Sequence, residues 1–338
     1  MARVLFLGGL GRSGTTLLER VLGEVPGVCA LGEVVHLWQR DVRDDERCGC
    51  GSRFSGCDFW RAVGARAFGG WDRLDTDRVL ALRDAVERTR HIPRLAGGRL
   101  RRSPRAGGDP WQDQVAEYAG YYAAVYAAAA DVSGAAVVVD SSKHSALAHC
   151  LRFAADGIDL RVVHVVRDAR GVAYSWTKKV ARPETDGAEE MTRYSPARSA
   201  VLWNAHNAAF GLLARTGVPV RRLRYEEFLA DPRGTVRALA DYAGLELADR
   251  ALGFLGAAHA DLATGHSAAG NPMRFTTGRV ALRADDAWRA ALPPADRRLV
   301  GTVCAPLMRS YGYRLRVAVP PHTPHGTPHP TPHPEERP

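Results

Sequence analysis

Between residues 8 and 16 the chain reads GGLGRSGTT, and residues of these types at this spacing can hold an anion. Gly9 and Gly14 frame a G-x-x-x-x-G turn, and Arg12, Ser13, Thr15 and Thr16 fill and follow it. Glycines let a backbone approach a bound group closely. Where such a turn opens a helix, free N–H groups and the positive end of the helix dipole converge on that group. Hydroxyls add hydrogen bonds, and Arg12 adds charge on a forked donor. The ATP-binding form of the turn continues with lysine and then serine or threonine. Here Thr15 stands where that lysine would be. A bare βα turn without a ligand is the competing reading, and the ordered glycines with two successive hydroxyls disfavour it.

Three other segments place chemistry after an apolar run. In VVVDSSKHS, Lys143 stands among Asp140, Ser141, Ser142 and His144, where a cation could sit near a leaving group. A Ser/His nucleophile is the alternative, but the G-x-S-x-G elbow is missing, and a helix N-cap accounts for Ser142 or Ser145. In HVVRDARGVAYSWTKK, Arg167 ends the run, with Ser175 about two helical turns on and Lys179 one turn beyond. Together they form a candidate second phosphate site; the plainer reading pairs Arg167 with Asp168. In RLRYEEFLADP, Tyr225 either stacks on a base or covers a sheet edge.

The elements that must position these residues follow from periodicity. Runs 4–8, 136–140, 161–166 and 220–224 are short, rich in β-branched residues and bounded by glycine or charge, which predicts buried strands. Helices are predicted over 16–23, 76–89, 113–131, 145–156, 171–179, 195–215 and 232–243. Strands alternating with helices predict an α/β fold: one three-layer α/β/α domain over residues 1–318 around a central parallel sheet, P-loop-like in its first turn. In such sheets ligands bind at the carboxyl ends of the strands, which is where all four segments lie. Residues 91–112, rich in Arg, Gly and Pro, read as a flexible insertion or lid. The Pro/His repeat over 319–338 has no core-forming residues and reads as a disordered tail; His322, His325, His329 and His333 could bind metal weakly.

Composition narrows the function classes. The 338 residues are 46% apolar, enough to bury a core without disulfides. The net charge of +9 attracts anions, but the densest basic run, 94–105, is local and no nucleic-acid motif accompanies it, so nucleic acid is not the expected partner. The apolar stretch 4–10 is too short for a signal peptide, and no run nears the ~20 residues of a membrane span. A soluble, cytoplasmic protein without stable membrane insertion is expected. Cys48, Cys50 and Cys57 cluster in CGCGSRFSGC. That spacing is a partial metal pattern with His36 as a candidate fourth ligand. A compact loop of reduced cysteines is the favoured reading, and a Cys48–Cys57 or Cys50–Cys57 disulfide would be unusual in a reducing cytosol.

Taken together, the segments resemble the sulfotransferases that use 3′-phosphoadenosine 5′-phosphosulfate (PAPS). GRSGTTLLERVL resembles that family's 5′-phosphosulfate loop in the form of its carbohydrate and tyrosylprotein branches, and VVHVVRDARGVAYSW its 3′-phosphate motif. RYEEFLADPRGTVRALADYAGL is similar to a later family segment with a cofactor-contacting tyrosine, and CGCGSRFSGCDFW and VDSSKHS to segments of bacterial members. The resemblance covers most of residues 1 to 315. It implies PAPS as co-substrate, PAP as product and no required metal, with direct in-line transfer to a hydroxyl or amine of a small-molecule, glycolipid or carbohydrate acceptor.

By the same resemblance, Arg12, Ser13, Gly14, Thr15 and Thr16 hold the phosphosulfate, and Arg167, Ser175 and Lys179 hold the 3′-phosphate. Tyr225 contacts the nucleotide. Arg279, chosen over Arg274 and Arg283, closes a basic loop over it. Glu33 stands where tyrosylprotein-type members carry a catalytic glutamate, with His36 as the competing base. Lys143, assisted by Arg12, stabilises the leaving phosphate, although Ser-Ser-Lys-His departs from the family's Asn-Lys-Asp-Pro. Regions 36–130 and 180–210 are expected to shape the acceptor pocket, with Trp38, Trp60, Trp71 and Trp111 as candidate aromatics. A homodimer is compatible with the family. The rivals are a P-loop kinase using Asp140 for magnesium, and a non-catalytic nucleotide-binding protein.

Overall fold

Leu5 and Leu7 point to one face of the first strand, and Val4 and Phe6 to the other, because side chains alternate along a strand. All four are buried, so both faces of the sheet must be covered. A computed structural model describes residues 1–97, 109–154, 156–182 and 190–315. Its order is β1 (Ala2–Gly8), α1 (Thr15–Gly23), β2 (Val28–Ala30), α2 (Asp58–Phe68), α3 (Thr76–Val86), α4 (Ile92–Gly97), α5 (Pro110–Ser133), β3 (Val137–Lys143), α6 (Ser145–Leu151), β4 (Ile158–Val166), α7 (Ala169–Thr177), α8 (Pro196–Leu213), β5 (Val220–Arg224), α9 (Tyr225–Ala230), α10 (Pro232–Tyr242), β6 (His259–Leu262), β7 (Gly278–Ala281), α11 (Trp288–Ala291), α12 (Pro294–Val303) and α13 (Ala305–Ser310).

The five strands β2-β3-β1-β4-β5 form one parallel sheet. Val4, Phe6, Val138 and Val162 pack towards α2, α3 and α5, while Leu5, Leu7, Val139 and Val163 pack towards α1 and α10. The result is the expected three-layer α/β/α arrangement. Gly8 is level with Lys143 on one side and His164 on the other. Val166 is level with Arg224, so Arg167 and Tyr225 leave the sheet side by side. A separate antiparallel pair, β6 and β7, lies outside this sheet.

Caps explain where several helices depart from the sequence expectation. α5 starts at Pro110 because Asp109 accepts the Trp111 N–H at 3.1 Å and proline suits the first helical turn. It ends at Ser133 because Gly134 takes a left-handed φ of 66°. Asp168 caps α7 by accepting the Arg170 N–H, so that helix starts at Ala169. It also stops at Thr177, which leaves Lys179 beyond its end rather than on one face with Ser175. Ser142 and Ser145 are not the caps expected: His144 occupies the N-cap of α6 without a side-chain bond. β5 is an edge strand with Arg221 and Arg222 exposed, not a buried one. Part of the expected lid is helical, since Thr89–His91 forms a 3-10 turn leading into α4. The rest of that segment, 98–108, and the Pro/His tail from 316 onward lie outside the described residues. Among the described residues, no helix is long and apolar enough to cross a membrane.

Candidate active site

The glycine turn between β1 and α1 is built for close approach. Gly14 has φ 89°, and a Cβ there would meet the Tyr225 ring at 2.2 Å. A Cβ at Gly9, φ 146°, would meet the Val165 carbonyl oxygen at 2.4 Å. Side chains at either position would push the turn out of the sheet's end. Arg12 itself sits at φ 73° and Lys143 at φ 69°, two of three non-glycine residues in the left-handed region among the described residues. Such backbone strain gathers at functional sites. Trp176 Nε1 donates to the Gly11 carbonyl at 3.0 Å, and Arg167 Nη1 donates to that of Arg12 at 3.2 Å. The turn is thus clamped from α7 and from the end of β4.

Thr15 Oγ1 and Arg12 Nε are buried without a hydrogen-bond partner among the described residues. An uncapped α1 N-terminus lies beside them. Orphaned polar groups of this kind need a ligand or water to satisfy them. Burial outweighs the pull of Glu33 and lowers the Arg12 guanidinium from its ordinary value.

Lys143 Nζ and a Glu33 carboxylate oxygen form an ion pair at the rim of this turn, and both side chains are nearly buried. Two bonds fix the pair. Asp140 Oδ1 accepts the Ser142 N–H at 2.7 Å, and Ser142 Oγ accepts the Val35 N–H at 2.9 Å, tying the end of β3 to the segment after Glu33. Burial pushes the Glu33 carboxyl up, but Lys143, His36 and His144 together hold it below the usual carboxylate range. His36 Nε2 lies 3.8 Å from Glu33. Burial lowers its imidazolium to about 3, so at neutral pH it carries no charge.

The second cationic corner is Arg167. Its guanidinium lies 5.3 Å from the Tyr225 ring centroid and donates to the Asp285 carbonyl at 3.2 Å. Asp168 pairs with Arg170 instead, with Nη2 to Oδ2 at 2.6 Å, so the sequence alternative of an Arg167–Asp168 bridge does not hold.

These parts surround a cavity of about 770 Å³. Arg12, Gly14, Thr15, Thr16, Glu33, Lys143, Arg167, Ser175 and Tyr225 all line it. Ser13 is buried beneath the turn, its N–H given to Leu10. Lys179 is exposed and not in the lining; its neighbour Lys178 reaches Asp285 at 2.9 Å. Arg279 lies on β7, exposed and paired with Asp261 at 3.2 Å, away from the cavity. Arg274 is buried and donates to the Gly270 and Arg47 carbonyls, a structural brace.

The rest of the lining comprises His36 and Arg40, Glu87 and His144, Arg182 and Met191, and Tyr194 and His206. His36 is the competing base named from the sequence and His144 lies in VVVDSSKHS; the other six carry no motif but fall in the 36–130 and 180–210 regions expected to shape the pocket. Glu87 is buried and accepts from His144 Nδ1 at 3.1 Å. Burial would lower the His144 imidazolium, but the Glu87 carboxylate raises it. Glu87 also accepts from the Tyr118 hydroxyl, which contacts Tyr122 at 2.9 Å. Trp38 and Trp60 are core residues, Trp71 packs against that core, and Trp111 stacks under Arg94; none of the four lines the cavity. The tryptophan and tyrosines lining the cavity are Tyr225, Trp176 and Tyr194, the last two with ring centroids 4.4 Å apart. Tyr194 falls in the 180–210 region expected to shape the acceptor pocket, and Trp176 lies in the HVVRDARGVAYSWTKK segment.

A family model described as "Sulfotransferase family" matches residues 71–249, just over half of the chain. The sulfotransferase domain of the Synechococcus PCC 7002 olefin synthase shares 20% identity, over 94% of this chain and 96% of that one, with a TM-score of 0.50. The sulfotransferase domain from the curacin biosynthetic pathway shares 14%, over 94% and 99%, also at 0.50. At these identities the likeness is one of fold. No curated protein matches the chain.

Proposed function

Because the chain belongs to the sulfotransferase family, we propose that it moves a sulfuryl group from PAPS to a hydroxyl or amine of a small-molecule, glycolipid or carbohydrate acceptor by in-line displacement. The observation that carries this reading is the Glu33–Lys143 ion pair at the rim of the glycine turn. It puts a base and a cation side by side where a donor's reactive end would rest. The lysine absent from the turn itself is compatible with this. A transferring sulfuryl group carries less negative charge than a γ-phosphoryl.

When bound, PAPS supplies an activated sulfur joined to a good leaving group. The chain's residues divide the remaining work. The N–H groups of the turn, Thr15, Thr16 and Arg12 grip the phosphosulfate. Arg167, with Ser175 on α7, takes the 3′-phosphate, and Tyr225 packs beside it. Lys143 turns from Glu33 towards the bridging oxygen and stabilises the charge left there as the S–O bond breaks. That movement withdraws the main cation depressing Glu33, so its carboxylate becomes a stronger base. It then accepts the acceptor's proton as the new bond to sulfur forms. A kinase fits less well: Asp140, its candidate magnesium ligand, is buried and accepts from Tyr126 at 2.6 Å and from Ser142.

Calorimetry with PAP and with ATP, with and without magnesium, tests the reading. Metal-independent PAP binding that is weakened in Arg167→Ala is expected. Preference for magnesium-ATP would overturn it.

A further inference from the structure

The sequence offered Cys48, Cys50 and Cys57 three fates, and the fold adds a residue that none of them included. His266, from the segment between β6 and β7, reaches into the cysteine cluster; His36 does not, since it lines the cavity. The ligand atoms of Cys48, Cys50, Cys57 and His266 all lie within 4.8 Å of one another. We propose that these four residues form a structural zinc(II) site that staples the wall behind Glu33.

Three of the six spacings among these atoms are close to the edges of a coordination tetrahedron. Zn–S bonds of about 2.3 Å and Zn–N bonds of about 2.0–2.1 Å imply S···S edges of about 3.8 Å and S···N edges of about 3.5 Å. Cys50 Sγ and Cys57 Sγ are 3.8 Å apart. His266 Nδ1 lies 3.3 Å from Cys57 Sγ and 3.9 Å from Cys48 Sγ. A disulfide needs about 2.05 Å, and all six cysteines are free. Three sulfurs and one imidazole suit zinc, and with all four positions filled from the chain the site has no opening for substrate.

The backbone is shaped for thiolates. Cys48 to Ser52 form a tight hairpin: the Cys48 N–H donates to Ser52, the Gly51 N–H donates back to Cys48, and Gly51 takes φ 90°. Cys57 is also the N-cap residue of α2, at the positive end of an eleven-residue helix. His266 stacks on Phe59, with centroids 5.1 Å apart and planes at 20°, and its carbonyl accepts from Trp60 Nε1 at 2.8 Å. These contacts fix the ring that presents Nδ1.

The location gives the site a purpose. Gly49 N–H donates to the Ser267 carbonyl at 2.9 Å, and Ala268 N–H to that of Leu31 at 2.7 Å. Gly270 then lies against Glu33, so close that a Cβ there would meet Oε1 at 2.5 Å. One ion thus joins the hairpin, the start of α2 and the strand-like segment that backs the carboxylate. Binding displaces three thiol protons and leaves the imidazole neutral.

Elemental analysis of the full chain, purified without added metal or chelator, should find one zinc per chain. Cys50→Ser combined with Cys57→Ser should lose it, whereas replacing all four tail histidines with glutamine should not. In His266→Cys the zinc should persist. Cobalt(II) exchanged into the site should give thiolate charge-transfer bands and intense tetrahedral d–d absorption, altered in His266→Cys. Chelation should lower the melting temperature. Metal-free reduced thiols, a disulfide found by mass spectrometry, or metal lost only with the tail histidines would each overturn the proposal.

Discussion

The two walls of the cavity are made in different ways. One wall consists of the glycine turn, Lys143, Arg167 and Tyr225, all at or just beyond the carboxyl ends of adjacent parallel strands. Sheet register alone brings them together. The other wall is assembled from the π-helical turn Leu37–Arg43, the segment after α3, the segment around Met191 and the face of α8. Its parts come from separate elements, with the Met191 N–H donating to the Val180 carbonyl at 2.8 Å. On the proposed function, the first wall would hold the donor and the second could vary with the acceptor without disturbing the sheet.

Four experiments can sharpen or break that contrast. The largest effect should come where the walls meet. Glu33→Gln should lower kcat by about 10²- to 10⁴-fold, the usual worth of a general base, and leave PAP affinity within about twofold. A change confined to PAP affinity would make Glu33 part of the donor wall only.

Next is the foundation of the donor wall. Burial raises the Glu19 carboxyl on α1 to about 7, although the Ser267 hydroxyl and Arg20 oppose it. The folded chain keeps a proton that the unfolded chain has released. This penalty is absent below pH about 4.5 and grows as pH rises to about 7. Glu19→Gln should therefore remove up to roughly 3 kcal/mol of the stability difference between pH 5 and pH 8, read by urea denaturation. An unchanged difference would assign the pH dependence to Asp41 or Asp140, which burial raises to about 7 and about 6.

Arg167→Ala should weaken PAP binding by about 10- to 100-fold, as expected for charge-assisted bonds, while affinity for adenosine 5′-phosphosulfate, which lacks the 3′-phosphate, changes little. Equal losses for both ligands would mean that Arg167 serves by clamping the turn through the Arg12 carbonyl.

The smallest effect belongs to the far wall. His206 lines the cavity 3.4 Å from Ser145 Oγ, and burial lowers its imidazolium to about 4. His206→Ala should raise acceptor KM by about 3- to 10-fold, the size of one ordinary hydrogen bond, with PAP binding unchanged. A loss of PAP binding there would end the division into two walls.

The mismatches between sequence and structure have physical causes. Lys179 was expected on α7 from a run of helical spacing, but the helix stops at Thr177 and its neighbour Lys178 turns to Asp285. Arg279 was chosen for a neighbouring glycine, and strand pairing with β6 turned it to Asp261 instead. Of the tryptophans expected in the acceptor pocket, Trp38 and Trp60 went into the core and Trp71 and Trp111 pack against it, the common fate of large apolar side chains. His266 lies 209 residues from Cys57 and carries no motif around it.

The sequence by itself determined the alternating strands and helices, the parallel sheet they must form, and the anion-holding turn. Each depends on local rules: side-chain period, glycine backbone freedom and the free N–H groups of a helix start. Only the tertiary structure decided that Glu33 meets Lys143, that Glu87 meets His144, and that His266 joins three cysteines. Those pairings span from 57 to 218 residues of chain. They depend on how helices and loops pack over the sheet, which no local pattern encodes.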